Sequence, residues 1–206
     1  YMTGGQVTVP LVVRTANGGG LGFGAQHSQA VENWAFTVPG LVIAAPSTPA
    51  DVIGLMASAI RSDDPVMFFE HKALFATKGE PAPEGHVVPF GEAAVVREGH
   101  DITLVGLAWS VPIIQEAAQL LEASGISAEV IDLRTLVPLD AAGVLASVTK
   151  TSRILIVEDE AFYDLDAPVK RLAAACVPLP FATHLEDQVL PSVASVVATA
   201  TSMVEQ

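Results

Sequence analysis

The chain has 206 residues, half of them hydrophobic and 16% charged, which is enough for a sizeable core and excludes a disordered chain. Its formal charge of -13 argues against direct nucleic-acid binding, which needs lysine and arginine on phosphates, and suits a basic protein partner. A single cysteine, Cys176, excludes a disulfide or zinc framework, and no apolar run is long enough to span a membrane.

No signal-peptide pattern is present, and the first residue is Tyr1, so the beginning of the protein is expected upstream. Val7 to Thr15 reads as a buried strand with Pro10 near its start. A glycine-rich loop follows, Asn17-Gly18-Gly19-Gly20-Leu21-Gly22-Phe23-Gly24, and leads through Ala25-Gln26-His27-Ser28-Gln29 into a helix from Ala30. Leu41 to Ala45 is a second strand. Thr48-Pro49-Ala50-Asp51 then opens a helix, with threonine as cap, proline first and an acid in the first turn. That helix runs to Arg61, with Val52, Leu55, Met56 and Ala59 at core-facing spacing. Val66 to Glu70 is a third strand, and the strand–helix alternation favours a parallel sheet.

The pattern breaks between Lys72 and Pro89, where Lys78-Gly79-Glu80-Pro81-Ala82-Pro83-Glu84-Gly85 reads as a linker. A second alternating block follows, with strands at Ile102–Leu107, Ala128–Asp132 and Arg153–Val157. Its helices are expected at Pro112–Ala123, from Asp140 to Lys150, at Pro168–Ala175 and at Ser192–Val204. Cys176 reads as a small apolar core position.

Gly20-Leu21-Gly22-Phe23-Gly24-Ala25 matches the G-x-G-x-x-A dinucleotide fingerprint, but the next strand ends in Ala44-Ala45-Pro46-Ser47, without the acid that holds a ribose. A nicotinamide-dependent oxidoreductase is therefore disfavoured. His27 is the best chemical group, because a histidine at the carboxyl end of a strand can exchange protons near neutral pH. His71, His86, His100 and His184 read as structural or surface residues. Ala59-Ile60-Arg61-Ser62-Asp63-Asp64 is a helix end whose free carbonyls could ligate a monovalent cation.

Several stretches together carry a resemblance. They are Thr3-Gly4-Gly5-Gln6, Pro10-Leu11-Val12-Val13-Arg14, Ala25-Gln26-His27-Ser28-Gln29, Pro46-Ser47-Thr48-Pro49, Ser58-Ala59-Ile60-Arg61 and Phe69-Glu70-His71-Lys72-Ala73-Leu74-Phe75. To these are added Val130-Ile131-Asp132-Leu133-Arg134-Thr135-Leu136-Val137-Pro138-Leu139-Asp140 and Leu185-Glu186-Asp187 with Leu190-Pro191-Ser192. In this ordered set the chain resembles the beta subunit of the thiamine-diphosphate-dependent first component of 2-oxo acid dehydrogenase complexes, of the pyruvate, branched-chain or acetoin type.

The resemblance implies an α/β fold with mainly parallel sheets. Residues 1–72 would be the C-terminal part of a pyrimidine-binding domain, 73–90 a linker and 91–206 a transketolase C-terminal-like domain. It implies that His27 handles protons and the incoming lipoyl group, with Gln26 beside it as a cofactor-binding position. It also implies potassium on mostly backbone oxygens of Leu11, Ala59, Ile60, Ser62 and Asp64, although Ser62 stands where the family usually has aspartate. The family's glutamate on the cofactor's pyrimidine lies upstream of Thr3-Gly4-Gly5, and no Gly-Asp-Gly…Asn signature occurs here. The resemblance implies that an alpha subunit supplies the diphosphate and magnesium ligands, and activity is expected only together with it.

The partners implied are that alpha subunit, a second beta subunit in a heterotetramer, and the lipoyl and subunit-binding domains of the acyltransferase. The implied location is bacterial cytoplasm, or the mitochondrial matrix in a eukaryote. A non-catalytic assembly module left by truncation is the alternative reading. Near Asp159-Glu160-Ala161 a glycine-containing loop and helix of the family are expected to be missing, first as a disordered stretch left out of this sequence, alternatively as a true deletion. The strand ending at Glu158 runs there without a turn signal into Phe162.

Overall fold

A computed structural model of the chain describes residues 4–158 and 170–205. The first strand starts later than the apolar run suggests. Pro10 has no amide for a ladder, and the segment around it is fixed by one long-range bond, Val9 N to Asp63 O (2.9 Å), and one turn bond, Leu11 N to Val9 O (2.8 Å). Strand β1 (Val12–Asn17) then lies parallel to β3 (Val66–His71), which lies parallel to β2 (Val42–Ala44).

Between β1 and β2 the chain makes two short helices, α1 (Gly24–His27) and α2 (Glu32–Phe36). Helix α3 (Pro49–Arg61) connects β2 to β3. Its start follows the expected chemistry: Thr48 Oγ1 accepts the Asp51 amide at 3.1 Å, and Pro49 occupies the first turn, where no amide is needed. Leu55 and Ala59 pack against Ala44, Val66, Phe68 and Val88. Val52 and Met56 sit at the flanks of that face, half-buried, because Gly54 rather than Val52 takes the central position beneath Val88.

The fourth strand of this sheet comes from the far half of the chain. β7 (Thr135–Val137) runs antiparallel to β2, pairing Ile43 with Val137, so that the first sheet has the order β1-β3-β2-β7. The two halves therefore share backbone hydrogen bonds and do not merely touch. On the same side of the sheet, Ala108 joins Ala35, Ile43, Ala45 and Phe69 in one apolar cluster.

The second sheet has the order β4-β6-β5-β8-β9. Its strands are β4 (Ala94–Arg97), β5 (Ile102–Gly106), β6 (Ala128–Asp132), β8 (Ile154–Val157) and β9 (Lys170–Leu172). All neighbours are parallel except β4 with β6. Helices α4 (Ser110–Ala123) and α7 (Val193–Val204) cover one face, with Ile114, Leu121 and Val196 packed on Leu104, Val130 and Leu155. Helix α5 (Ala141–Thr151) connects β7 to β8, its first turn held by Asp140, whose carboxylate accepts the Gly143 amide at 2.8 Å. Ser192 and Ser195 form a reciprocal cap on α7.

Two expectations are corrected. Lys170 to Leu172 is a strand and not part of a helix: the helix-favouring run of Lys, Arg, Leu and Ala is overridden by the open edge of β8, which pairs Leu155 with Lys170 and Val157 with Leu172. The segment after β9 is consequently irregular, and Cys176 is exposed rather than in the core. Strands β4 and β7 and helix α6 (Thr183–Val189) were not anticipated. The interruption expected near Asp159 falls outside the described residues. Among the described residues no helix is long and apolar enough to cross a membrane.

Candidate active site

The glycine loop leaves β1 at its carboxyl end, the usual ligand side of a parallel sheet, but its glycines face protein atoms. A Cβ on Gly18 would overlap the ring of His71. One on Gly22, already at φ +67°, would lie 2.9 Å from Thr183 Cγ2 and 3.2 Å from the Phe181 carbonyl. Gly19 packs on Leu179 and Leu190, Gly20 on Trp109 and Gly24 on Phe181. The loop is therefore a seat for residues 179–190 of the second unit. It is not an open phosphate cradle, which adds to the case against a bound dinucleotide.

This seat presents α1 to solvent. Gln26 and His27 are exposed. Lys72, one residue beyond β3, donates from Nζ to the His27 carbonyl at 2.5 Å. Gly22 N donates to Glu186 Oε2 at 2.7 Å, and Glu186, on α6, is buried. The Ser28 amide closes α1 on the Gly24 carbonyl at 3.1 Å. Asn17 and Ser28 are buried beside the loop with side-chain polar atoms that lack hydrogen-bond partners.

Behind the loop, His71 stacks on Trp109. Trp109 immediately precedes α4 and follows Ala108, whose φ of +47° is unusual for a residue with a side chain. Two cavities flank this region. One, of about 590 Å³, is lined by Arg14, Ser47, Thr48, Glu70, His71 and Phe75. The other, of about 550 Å³, runs between α2 and the 174–179 segment past Gln29, Asn33, Trp34 and Cys176. His27 is in the wall of neither.

A second polar junction ties the halves together below β2. Ser47 donates to the carboxyl group of Asp132, whose other oxygen accepts the Arg134 amide at 2.9 Å. Arg134 reaches back to Asp51 of α3 at 2.8 Å. Burial is the largest influence on Asp132 and pushes its carboxyl up to about 6. The bonds from Ser47 and Arg134 oppose this, and the charge of Asp51 adds to it.

Leu11, Ala59, Ile60, Ser62 and Asp64 fall on two adjoining segments. The Leu11 carbonyl accepts Val66 N at 2.8 Å, the Ala59 carbonyl accepts Ser62 N at 3.3 Å, and the Asp64 carbonyl accepts Ser62 Oγ at 3.1 Å. Each of these three carbonyls keeps a lone pair for a further partner. Among the described residues, no group of three or more His, Cys, Asp or Glu side chains could hold a metal ion.

Of the residues that hold this site together, Lys72, Glu186 and Asp132 had no role assigned from sequence. Each sits in a stretch that carries the resemblance, yet its partner is far away along the chain.

Residues 1–78 match the family model of the transketolase pyrimidine-binding domain, and residues 91–196 match that of the transketolase C-terminal domain. The chain is 42% identical to the pyruvate dehydrogenase E1 component subunit beta-1, mitochondrial, of Arabidopsis thaliana, over 96% of this chain and 60% of that protein. It is 41% identical to the acetoin:2,6-dichlorophenolindophenol oxidoreductase subunit beta of Bacillus subtilis, over 93% and 61%. With the 2-oxoisovalerate dehydrogenase subunit beta of the same bacterium it shares 40% identity over 90% and 63%. It thus spans about three-fifths of the length of these relatives. The Arabidopsis alignment runs over 218 residues, longer than this 206-residue chain, so that protein has residues inside the matched span with no counterpart here. Among solved structures, a split-gene transketolase described as an inactive beta4 tetramer superposes with a TM-score of 0.78 at 22% identity, over 96% of this chain and 67% of that one.

Proposed function

The chain belongs to the transketolase family, and on that premise we propose that it is the beta subunit of a thiamine-diphosphate-dependent 2-oxo acid or acetoin dehydrogenase. It would act with an alpha subunit and pass an acyl group to lipoyl-lysine. The observation that carries the reading is the exposed His27, set at the end of α1 by a glycine loop that two units of the chain hold between them.

Thiamine diphosphate, when bound, supplies the carbanion chemistry of decarboxylation. The protein's own part is orientation and proton handling. An exposed imidazole on a short, fixed helix can take or give a proton at a substrate oxygen, or at a lipoyl sulfur brought in from solvent. Gln26 stands next to it as the adjoining polar contact. The glycine loop is filled by side chains and backbone of residues 179–190, which supports the reading that the alpha subunit holds the diphosphate and magnesium.

The same proposal assigns the Leu11, Ala59, Ile60, Ser62 and Asp64 oxygens to potassium, whose weak field suits carbonyl donors; those of Leu11, Ala59 and Asp64 already accept one hydrogen bond each. It divides the chain at residues 73–90 and assigns as partners a second beta subunit and the lipoyl and subunit-binding domains of the acyltransferase. The test is equilibrium binding of thiamine diphosphate by the chain with and without a co-purified alpha subunit. Saturable binding that requires both subunits is expected. A pair that assembles yet binds no cofactor would leave only a scaffolding role.

A further inference from the structure

Helix α1 is only four residues long, too short to hold its own geometry in water. Its carboxyl end is fixed by Lys72 on the His27 carbonyl. The loop just ahead of its other end is fixed by Glu186, which accepts the Gly22 amide across a separation of 164 residues. Glu186 is 1% exposed, and its second carboxyl oxygen has no hydrogen-bond partner. Burying a carboxyl group with one oxygen unsatisfied is costly, and a leucine there would pack without that cost.

Contact between the loop and the 179–190 segment does not need the acid, since Gly19, Gly22 and Gly24 already nest against Leu179, Phe181 and Thr183. What the acid adds is direction: one acceptor aimed at one amide, two residues before the helix that ends in His27.

We propose that Glu186 is a positioning residue for the thiamine-dependent reaction, holding Gly22 so that the position of the second unit sets the placement of the His27 imidazole. The role in turnover rests on the functional reading of His27; the mechanical link from Glu186 to His27 does not. A shift of the catalytic group by about an ångström can cost up to a hundredfold in rate, so the anchor has leverage without touching substrate.

The test compares Glu186→Leu, which keeps the volume and removes the acceptor, with Glu186→Gln, which keeps an acceptor. Both are made in the full chain assembled with its alpha subunit. Three readouts are taken: hydrogen exchange of the peptide spanning Gly22 to Ser28, the pH profile of His27 modification by diethyl pyrocarbonate, and kcat separately from KM for the 2-oxo acid. Glu186→Leu should speed exchange by about tenfold, move the His27 profile and lower kcat by about tenfold with KM nearly unchanged. Glu186→Gln should restore all three. Should the leucine variant not fold, Glu186→Asp, which withdraws the carboxyl by one methylene, should show the same three changes to a smaller degree. Exchange and a His27 profile identical to the parent overturn the proposal, as does a glutamine variant that rescues nothing. If both signatures respond but no form of the enzyme turns over a 2-oxo acid or acetoin, the link stands and the functional reading fails.

Discussion

His71, the last residue of β3, stacks on Trp109, which leads into α4, with ring centroids 5.6 Å apart and planes inclined by 10°. The pair joins the two units directly behind the glycine loop, where Gly18 lies against one ring and Gly20 against the other. Trp109→Ala should destabilise the fold by about 2 kcal/mol through lost burial and stacking, and Trp109→Phe by less than half of that. Urea unfolding followed by circular dichroism measures both; equal losses for the two variants would mean that ring stacking is not what matters.

Asp132 gives a pH signature. Its carboxyl is pushed up to about 6, first by burial, whereas in the unfolded chain it titrates near an ordinary value of about 3.9. Between those values the folded state holds a proton that the unfolded state lacks, so this group's contribution falls as pH rises from about 4 to about 6 and is level above. At neutral pH the ionised group costs about 3 kcal/mol relative to its protonated form. Asp132→Asn should therefore gain about that much over the parent on going from pH 4 to pH 7.5. Parallel stability curves for the two proteins would contradict this assignment.

Gly22 tests the seat itself. An alanine would have to adopt φ +67° and meet Thr183 and the Phe181 carbonyl. Gly22→Ala should cost about 2 kcal/mol or more. Gly40, at φ +92° with open space around it, is the control: Gly40→Ala should cost only the backbone strain, about 1 kcal/mol. Thermal unfolding of the two variants under one set of conditions makes the comparison, and equal losses would mean that the contact contributes nothing.

These sites differ in how far the sequence exposes them. Local chemistry was readable wherever the partners are neighbours: Thr48 with Asp51, Asp140 with Gly143 and the start of α7 at Ser192 all lie where the capping residues put them. The glycine loop was readable as the centre of the chain, but not why it needs glycine. Its neighbours Leu179, Phe181, Thr183 and Leu190 come from the opposite end of the sequence. Glu186 was visible inside a familiar motif, yet its partner is a backbone amide 164 positions away. Lys170 to Leu172 misled for the same reason, since pairing with β8 outweighs local helix preference.

His27 separates chemistry from folding. Its side chain is exposed, so His27→Ala should change stability by less than about 0.5 kcal/mol. If it handles the proton in acyl transfer, the same change should slow lipoyl acylation by about a hundredfold or more in the assembled enzyme. A variant that matches the parent in rate removes His27 from the mechanism.

The most direct measurement is turnover of a substrate panel (pyruvate, branched-chain 2-oxo acids and acetoin) by the chain co-purified with an alpha subunit, thiamine diphosphate and magnesium. Acylation of a lipoyl domain is the readout for every substrate. Acyl transfer from one member of the panel, lost when either the alpha subunit or thiamine diphosphate is left out, is the result expected of a beta subunit. A complex that assembles and binds the cofactor, yet acylates no lipoyl domain from any of these substrates, would contradict it.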